Sequence, residues 1–128
     1  MAYLNHIGLY VKDIEASKHF FEKYFGAKAG NKYHNPRKSF SSYLLSFDGG
    51  ATLEIMTRAD LNLLPQRTNN YGYAHISLSV GSQEKVNEIT KCLIDDVYIH
   101  LDGPRTTGDG YYESAIVDAE GNVIEITV

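Results

Sequence analysis

Apolar and polar positions alternate through residues 4–11, with Ile7, Leu9 and Val11 on one side of an extended chain and His6, Gly8 and Tyr10 on the other. The pattern predicts a strand. Lys12-Asp13 then supplies a turn and a helix N-cap, and Ile14, Phe21, Tyr24 and Phe25 follow the 3.6-residue period up to a stop at Gly26. Residues 27–39 are polar and contain Asn35-Pro36, which predicts a loop or an irregular strand. Phe40 to Phe47 and Ala51 to Thr57 read as two strands turning at Asp48-Gly49-Gly50. The segment 58–72, with Pro65, Asn69, Asn70 and Gly72, reads as a linker.

The same order then returns. A strand is expected from Tyr73 through Val80, and Ser82 caps a helix whose apolar stripe holds Val86, Ile89, Leu93 and Ile94, with Cys92 packing beside it. A short strand near Val97-Tyr98-Ile99 precedes the Gly/Pro/Thr-rich segment 102–110. A last hairpin joins Tyr111–Val117 to Val123–Val128 around Ala119-Glu120-Gly121-Asn122. Each unit is β-α-β-β-β in outline. The pattern predicts one α+β domain over residues 1–128, with module one at about 1–57, a linker at about 58–72 and module two at about 73–128.

Composition narrows the partners. With 128 residues, 43% of them hydrophobic, the chain can bury an ordinary core. Its net charge of −4 comes from interspersed acidic and basic residues, so no basic stripe for nucleic acid is visible. No apolar run reaches the ~20 residues of a membrane span, and the N-terminus lacks signal-peptide zones. A cytoplasmic location is therefore expected. Cys92 is the only cysteine, which excludes an intramolecular disulfide and a thiolate metal cluster.

The repetition carries the chemistry. His6-Ile7-Gly8-Leu9-Tyr10-Val11 returns as His75-Ile76-Ser77-Leu78-Ser79-Val80, and Leu53-Glu54-Ile55-Met56 returns as Ile124-Glu125-Ile126-Thr127. The histidines are 69 positions apart and the glutamates 71. Duplicated units commonly pack about a pseudo-twofold axis, an arrangement that can bring His6, Glu54, His75 and Glu125 to one mononuclear metal site. Taken singly, a strand histidine is more often structural, and a strand glutamate more often the solvated side of a sheet. Their recurrence in register is what favours ligands. Imidazole with carboxylate and no thiolate suits Ni, Zn, Co or Mn, with Fe(II) behind them, and four protein donors leave positions open on a six-coordinate ion.

The chain resembles the vicinal oxygen chelate superfamily, the group of glyoxalase I, bleomycin-resistance proteins, extradiol dioxygenases and methylmalonyl-CoA epimerase. The phrases that carry the resemblance are Asn5-His6-Ile7-Gly8, Val11-Lys12-Asp13-Ile14, Phe20-Phe21-Glu22-Lys23-Tyr24-Phe25-Gly26, Leu53-Glu54-Ile55, Ala74-His75-Ile76-Ser77-Leu78-Ser79-Val80 and Asp118-Ala119-Glu120-Gly121-Asn122-Val123-Ile124-Glu125-Ile126. The resemblance implies two βαβββ modules whose strongly curved mixed sheet forms a half-barrel cleft, a homodimer, and a small-molecule substrate.

The order His, Glu, His, Glu is that of the bacterial glyoxalase I type, which implies His6, Glu54, His75 and Glu125 as metal ligands and a lyase or isomerase working through an enediolate. Glu125 is then expected as the base, with Glu54 as its acid/base partner. Dioxygenases of the group use only the equivalents of His6, His75 and Glu125, and epimerases commonly have glutamine in place of Glu54. Glyoxalase I has an arginine four residues after the position of His6 that binds a glutathione carboxylate. Tyr10 stands there, which argues for another thiol or none. Candidate substrate contacts are Arg37 and Arg105 for an anionic group, with Thr107 and Tyr111. The rival expectations are a ligand-sequestering protein of the bleomycin-resistance kind, an Fe(II) extradiol dioxygenase and an acyl-CoA epimerase.

Overall fold

Asp13 and Gly26 set the ends of the first helix by local chemistry. The Asp13 carboxylate accepts from the Ala16 N–H at 3.0 Å, and Gly26 adopts φ 64° so that its own N–H closes onto the last turn. Between them runs α1 (Ile14–Phe25), seen in a computed structural model that describes residues 1–62 and 71–128. Its buried positions are Ile14, Ser17, Phe20 and Phe21, a single stripe turned to the sheet.

The chain divides into two compact units, Met1–Leu63 and Leu64–Val128. In the first, β1 (His6–Tyr10) lies parallel to β5 (Thr52–Arg58), and β5 pairs antiparallel with β4 (Phe40–Ser46). Two short strands, β2 (Lys28–Ala29) and β3 (Tyr33–Asn35), both pair with β4. The polar stretch 27–39 thus supplies an interrupted edge.

In the second unit β6 (Ile76–Ser79) lies parallel to β9 (Val123–Thr127), β9 pairs with β8 (Tyr112–Val117), and β7 (Ile99–Thr106) closes the order β6-β9-β8-β7. The helix α2 (Gln83–Asp95) starts at Ser82, whose side chain accepts from the Lys85 N–H at 3.2 Å. The fold is therefore α+β, with one helix and one mixed sheet in each unit.

Register repeats with the sequence. Leu44↔Glu54 and Ala115↔Glu125 are equivalent cross-strand pairs, as are Gly8↔Glu54 and Ser77↔Glu125. The duplication is thus kept to the residue. Alternation puts Leu53, Ile55, Ile124 and Ile126 under 4% exposed on the helix side, leaving Glu54 and Glu125 on the opposite face.

Several elements depart from the sequence pattern. β7 is a full strand through Gly103-Pro104 because two bulges let it follow β8 past them. Gly103 has φ 70°, and a Cβ there would sit 2.3 Å from the Glu113 carbonyl oxygen. Only glycine allows that approach. β6 begins at Ile76, so Tyr73 to His75 precede the strand. On α2 the buried residues are Val86, Thr90 and Leu93, while Cys92 is exposed and Ile94 largely so. Cys92 is therefore not a packing residue, since it lies off the buried stripe. The linker's Pro65, Asn69 and Asn70 lie outside the described residues, and no described helix is long and apolar enough to cross a membrane.

The β8–β9 turn has its own anchor in Asp118. This buried carboxylate accepts from the N–H groups of Glu120 (2.9 Å) and Asn122 (2.8 Å) and from the Asn122 side-chain amide (3.3 Å). Asp118→Ala removes these three hydrogen bonds to a charged acceptor and is expected to cost about 2–3 kcal/mol, read as a lowered urea midpoint at unchanged m-value.

Candidate metal centre

His6 opens β1 and points, with Gly8 and Tyr10, to the face that carries Glu54. Its Nε2 is 3.6 Å from Glu54 Oε2. The other ring nitrogen is engaged: Nδ1 lies 2.8 Å from Asn5 Oδ1, an oxygen that can only accept. Nδ1 therefore carries the hydrogen. In the neutral ring Nε2 then turns a lone pair toward a carboxylate, which calls for a proton or a cation between them.

The second unit repeats the pair. His75, just before β6, has Nε2 3.1 Å from Glu125 Oε2, with side chains 40% and 23% exposed against 47% and 27% for His6 and Glu54. Two ligands of one ion at about 2.1 Å are about 3.0–3.5 Å apart in octahedral or tetrahedral geometry. Both pairs are close to that spacing and reachable from solvent, so the donor set suits a divalent ion of the N/O class. Among the described residues no group of three or more His, Cys, Asp or Glu side chains converges on one point. The donors stand as two pairs, one in each unit.

Two charged residues that alternation points to, but that sequence reasoning missed, share these faces. Counting by two from Glu54 along β5 reaches Met56 and Arg58; Arg58 donates to Tyr10 and pairs with Asp60 at 2.5 and 2.7 Å, which holds its pKa above the usual arginine value. A guanidinium is thus beside Tyr10 on the neighbouring strand, neutralised by Asp60. On β8, Glu113 lies on the face of Glu125 and diagonal to it across the pair with β9, where it feels the charges of Glu125, Asp109 and His75. Burial, first, and the Glu125 charge, second, push the Glu113 carboxyl above the usual carboxylate range.

The candidate substrate contacts fall in both units, Arg37 in the first and Arg105, Thr107 and Tyr111 in the second. Arg37 lies in the turn after β3 and is exposed, its backbone N–H donating to Asn35 Oδ1. Arg105 is on β7 in an exposed ion pair with Asp102 at 2.8 Å. Thr107 closes the loop before β8, bonding Asp109 and the backbone of Tyr111, a residue 60% exposed. His34 meets Ser41 Oγ at 2.8 Å, and His100 donates to the carbonyls of Asp102 and Gly103.

The family model of the glyoxalase/bleomycin resistance protein/dioxygenase superfamily matches residues 3–126. No curated protein sequence matches the chain. Among solved structures, the chain is similar to the trypanothione-dependent glyoxalase I of Leishmania major (18% identity, 99% of this chain and 86% of that one, TM-score 0.78). It is similar also to a possible glyoxalase from Bacillus cereus (23% identity, all of both chains, TM-score 0.74) and to a fosfomycin resistance protein from Listeria monocytogenes (20% identity, 99% and 93%, TM-score 0.77). At these identities the likeness is one of fold. With the family model spanning nearly the whole sequence, the chain belongs to the glyoxalase/bleomycin resistance protein/dioxygenase superfamily.

Proposed function

We propose that the protein is a divalent-metal-dependent lyase or isomerase of the glyoxalase kind, acting on a small 2-oxoaldehyde–thiol adduct or a related substrate. The observation that carries this reading is the recurrence, at equivalent register, of an imidazole nitrogen 3.1–3.6 Å from a carboxylate oxygen. His6, Glu54, His75 and Glu125 would hold the ion. When bound, such a cation supplies positive charge to the oxygens of an enediolate.

The residues of the chain do the rest. Glu125 takes the carbon-bound proton next to the substrate carbonyl, and the electrons of that C–H bond move into the enediolate. The proton then returns to the neighbouring carbon, with Glu54 as acid/base partner. A hemithioacetal is converted in this way to a 2-hydroxy thioester, with no net change in atoms or electrons. A homodimer accompanies this reading and is checked by light scattering.

The deciding experiment is a metal-dependent screen of methylglyoxal with several thiols, beside a thiol-free control. Chelator treatment is expected to remove activity and Ni, Mn, Co or Zn to restore it. His6→Ala and His75→Ala should each purify with substoichiometric metal by elemental analysis. A protein without metal that binds hydrophobic drugs would instead make the chain a sequestering member of its superfamily, and oxygen uptake with a catechol would make it a dioxygenase.

A further inference from the structure

The two units agree closely in register, but their first strands begin differently. In the first unit the ladder starts at His6↔Thr52 and so includes the histidine, whereas in the second it starts at Ile76↔Ile124 and leaves His75 just before it. The residues at these two places account for the difference. By the offsets that relate the units, Asn5 corresponds to Ala74 and Thr52 to Val123, so a polar pair at the head of one sheet is an apolar pair in the other.

The polar pair closes a circuit around His6. The Asn5 carbonyl accepts from the Thr52 N–H at 3.0 Å and from the Thr52 hydroxyl at 3.4 Å, which ties the residue before β1 to the head of β5. Its side chain turns back, and Asn5 Oδ1 accepts from His6 Nδ1 at 2.8 Å. Two positions along β5 from Thr52, and on the same face, stands Glu54, whose Oε2 is 3.6 Å from His6 Nε2. The ring is thus held at one nitrogen while the other is aimed at the carboxylate.

Which imidazole nitrogen offers a lone pair is decided by the bond that the other one makes. An amide oxygen has nothing to donate, so it selects the ring form with hydrogen on Nδ1. A free histidine favours the opposite form, in which Nε2 would meet Glu54 as a donor and leave no lone pair for a cation. Ala74 has no side-chain acceptor to offer His75.

We propose that Asn5 is a positioning residue of the first half-site: it fixes the His6 ring so that Nε2 is the metal-facing donor, tightening the binding of a divalent cation. It acts through His6, as partners of metal-bound imidazoles do. The proposal rests on His6 and Glu54 being metal donors. It also makes the halves of the duplication unequal, since only the first carries the asparagine and the threonine.

The test pairs two readouts. Long-range proton–nitrogen NMR spectra of the isotope-labelled, chelator-stripped protein, taken at about pH 8.5 and so above the ordinary histidine range, are expected to show His6 with its hydrogen on Nδ1. Asn5→Ala should move that hydrogen to Nε2, and Asn5→Asp should keep it in place. Calorimetric titration with Mn²⁺ and Ni²⁺ should find Asn5→Ala about 10–100-fold weaker, the scale seen for groups that orient metal ligands, with Asn5→Asp at wild-type affinity or better. Because Asn5 is exposed, the metal-free Tm of both variants should stay within a degree or so of wild type. If wild-type His6 carries its hydrogen on Nε2, or if Asn5→Ala binds as wild type while His6→Ala loses the metal, the proposal falls and the metal reading stands. If wild type itself takes up neither ion, the metal reading fails and this proposal with it.

Discussion

Glu125→Gln is expected to lower kcat/KM for the thiol adduct of methylglyoxal by about 10²–10⁴-fold, the range that a positioned acid/base group contributes, equivalent to about 3–5 kcal/mol of transition-state stabilisation. Glutamine keeps the size of the side chain and one oxygen that can face His75, now 3.1 Å from Glu125. It cannot take a proton. Glu125 has a helix-side neighbour on each flank, Ile124 and Ile126, both fully buried, so the strand beneath it does not depend on the carboxylate. Far-UV circular dichroism should accordingly be unchanged. A metal-replete Glu125→Gln protein of wild-type activity would remove Glu125 from the role of base and leave Glu54 as the group to examine.

Phe21→Ala carries the largest expected effect on stability, about 3–5 kcal/mol. Phe21 is fully buried on α1. Its ring stands edge-on to Phe20 at 5.1 Å, near Phe25 at 6.3 Å and edge-on to Phe47 at 6.5 Å, so truncation empties the centre of an aromatic group. Against a total stability of about 5–15 kcal/mol, that loss leaves little reserve. Urea unfolding monitored by tyrosine fluorescence measures it; a change under 1 kcal/mol would mean that the site collapses around the gap. In contrast with Glu125→Gln, any loss of activity here should follow the loss of folded protein.

These two residues differ in how they declare themselves in the sequence. Phe21 announces itself by helical period between two caps, Asp13 and Gly26, whose chemistry is local. Glu125 is legible because the chain states its neighbourhood twice, and alternation within a strand gives its face. What stayed hidden depends on partners distant in sequence. Gly103-Pro104 has the composition of a loop, yet its segment is a strand because β8 offers a ladder and two bulges absorb the misfit. Cys92 lies next to the buried Leu93, but one position around a helix is enough to bring it to solvent. Arg58 and Glu113 gain their meaning from Tyr10 and Glu125 across a sheet, and no spacing within their own strands names those partners.

The equal turns between β4 and β5 and between β8 and β9 set a phase as well as a reversal. Leu45↔Leu53 and Ile116↔Ile124 fix how far each hairpin runs before its glutamate arrives. Because side chains in a strand point to opposite faces in succession, a slip of one residue would exchange the whole set between the two faces of the sheet. Glu54 or Glu125 would then face the apolar layer under its helix, with an isoleucine beside the histidine. The five residues between the strands of each hairpin, 47–51 and 118–122, therefore work as a pair of matched spacers. Drift in the length of either one would silence its half of the centre while every donor remained in the sequence.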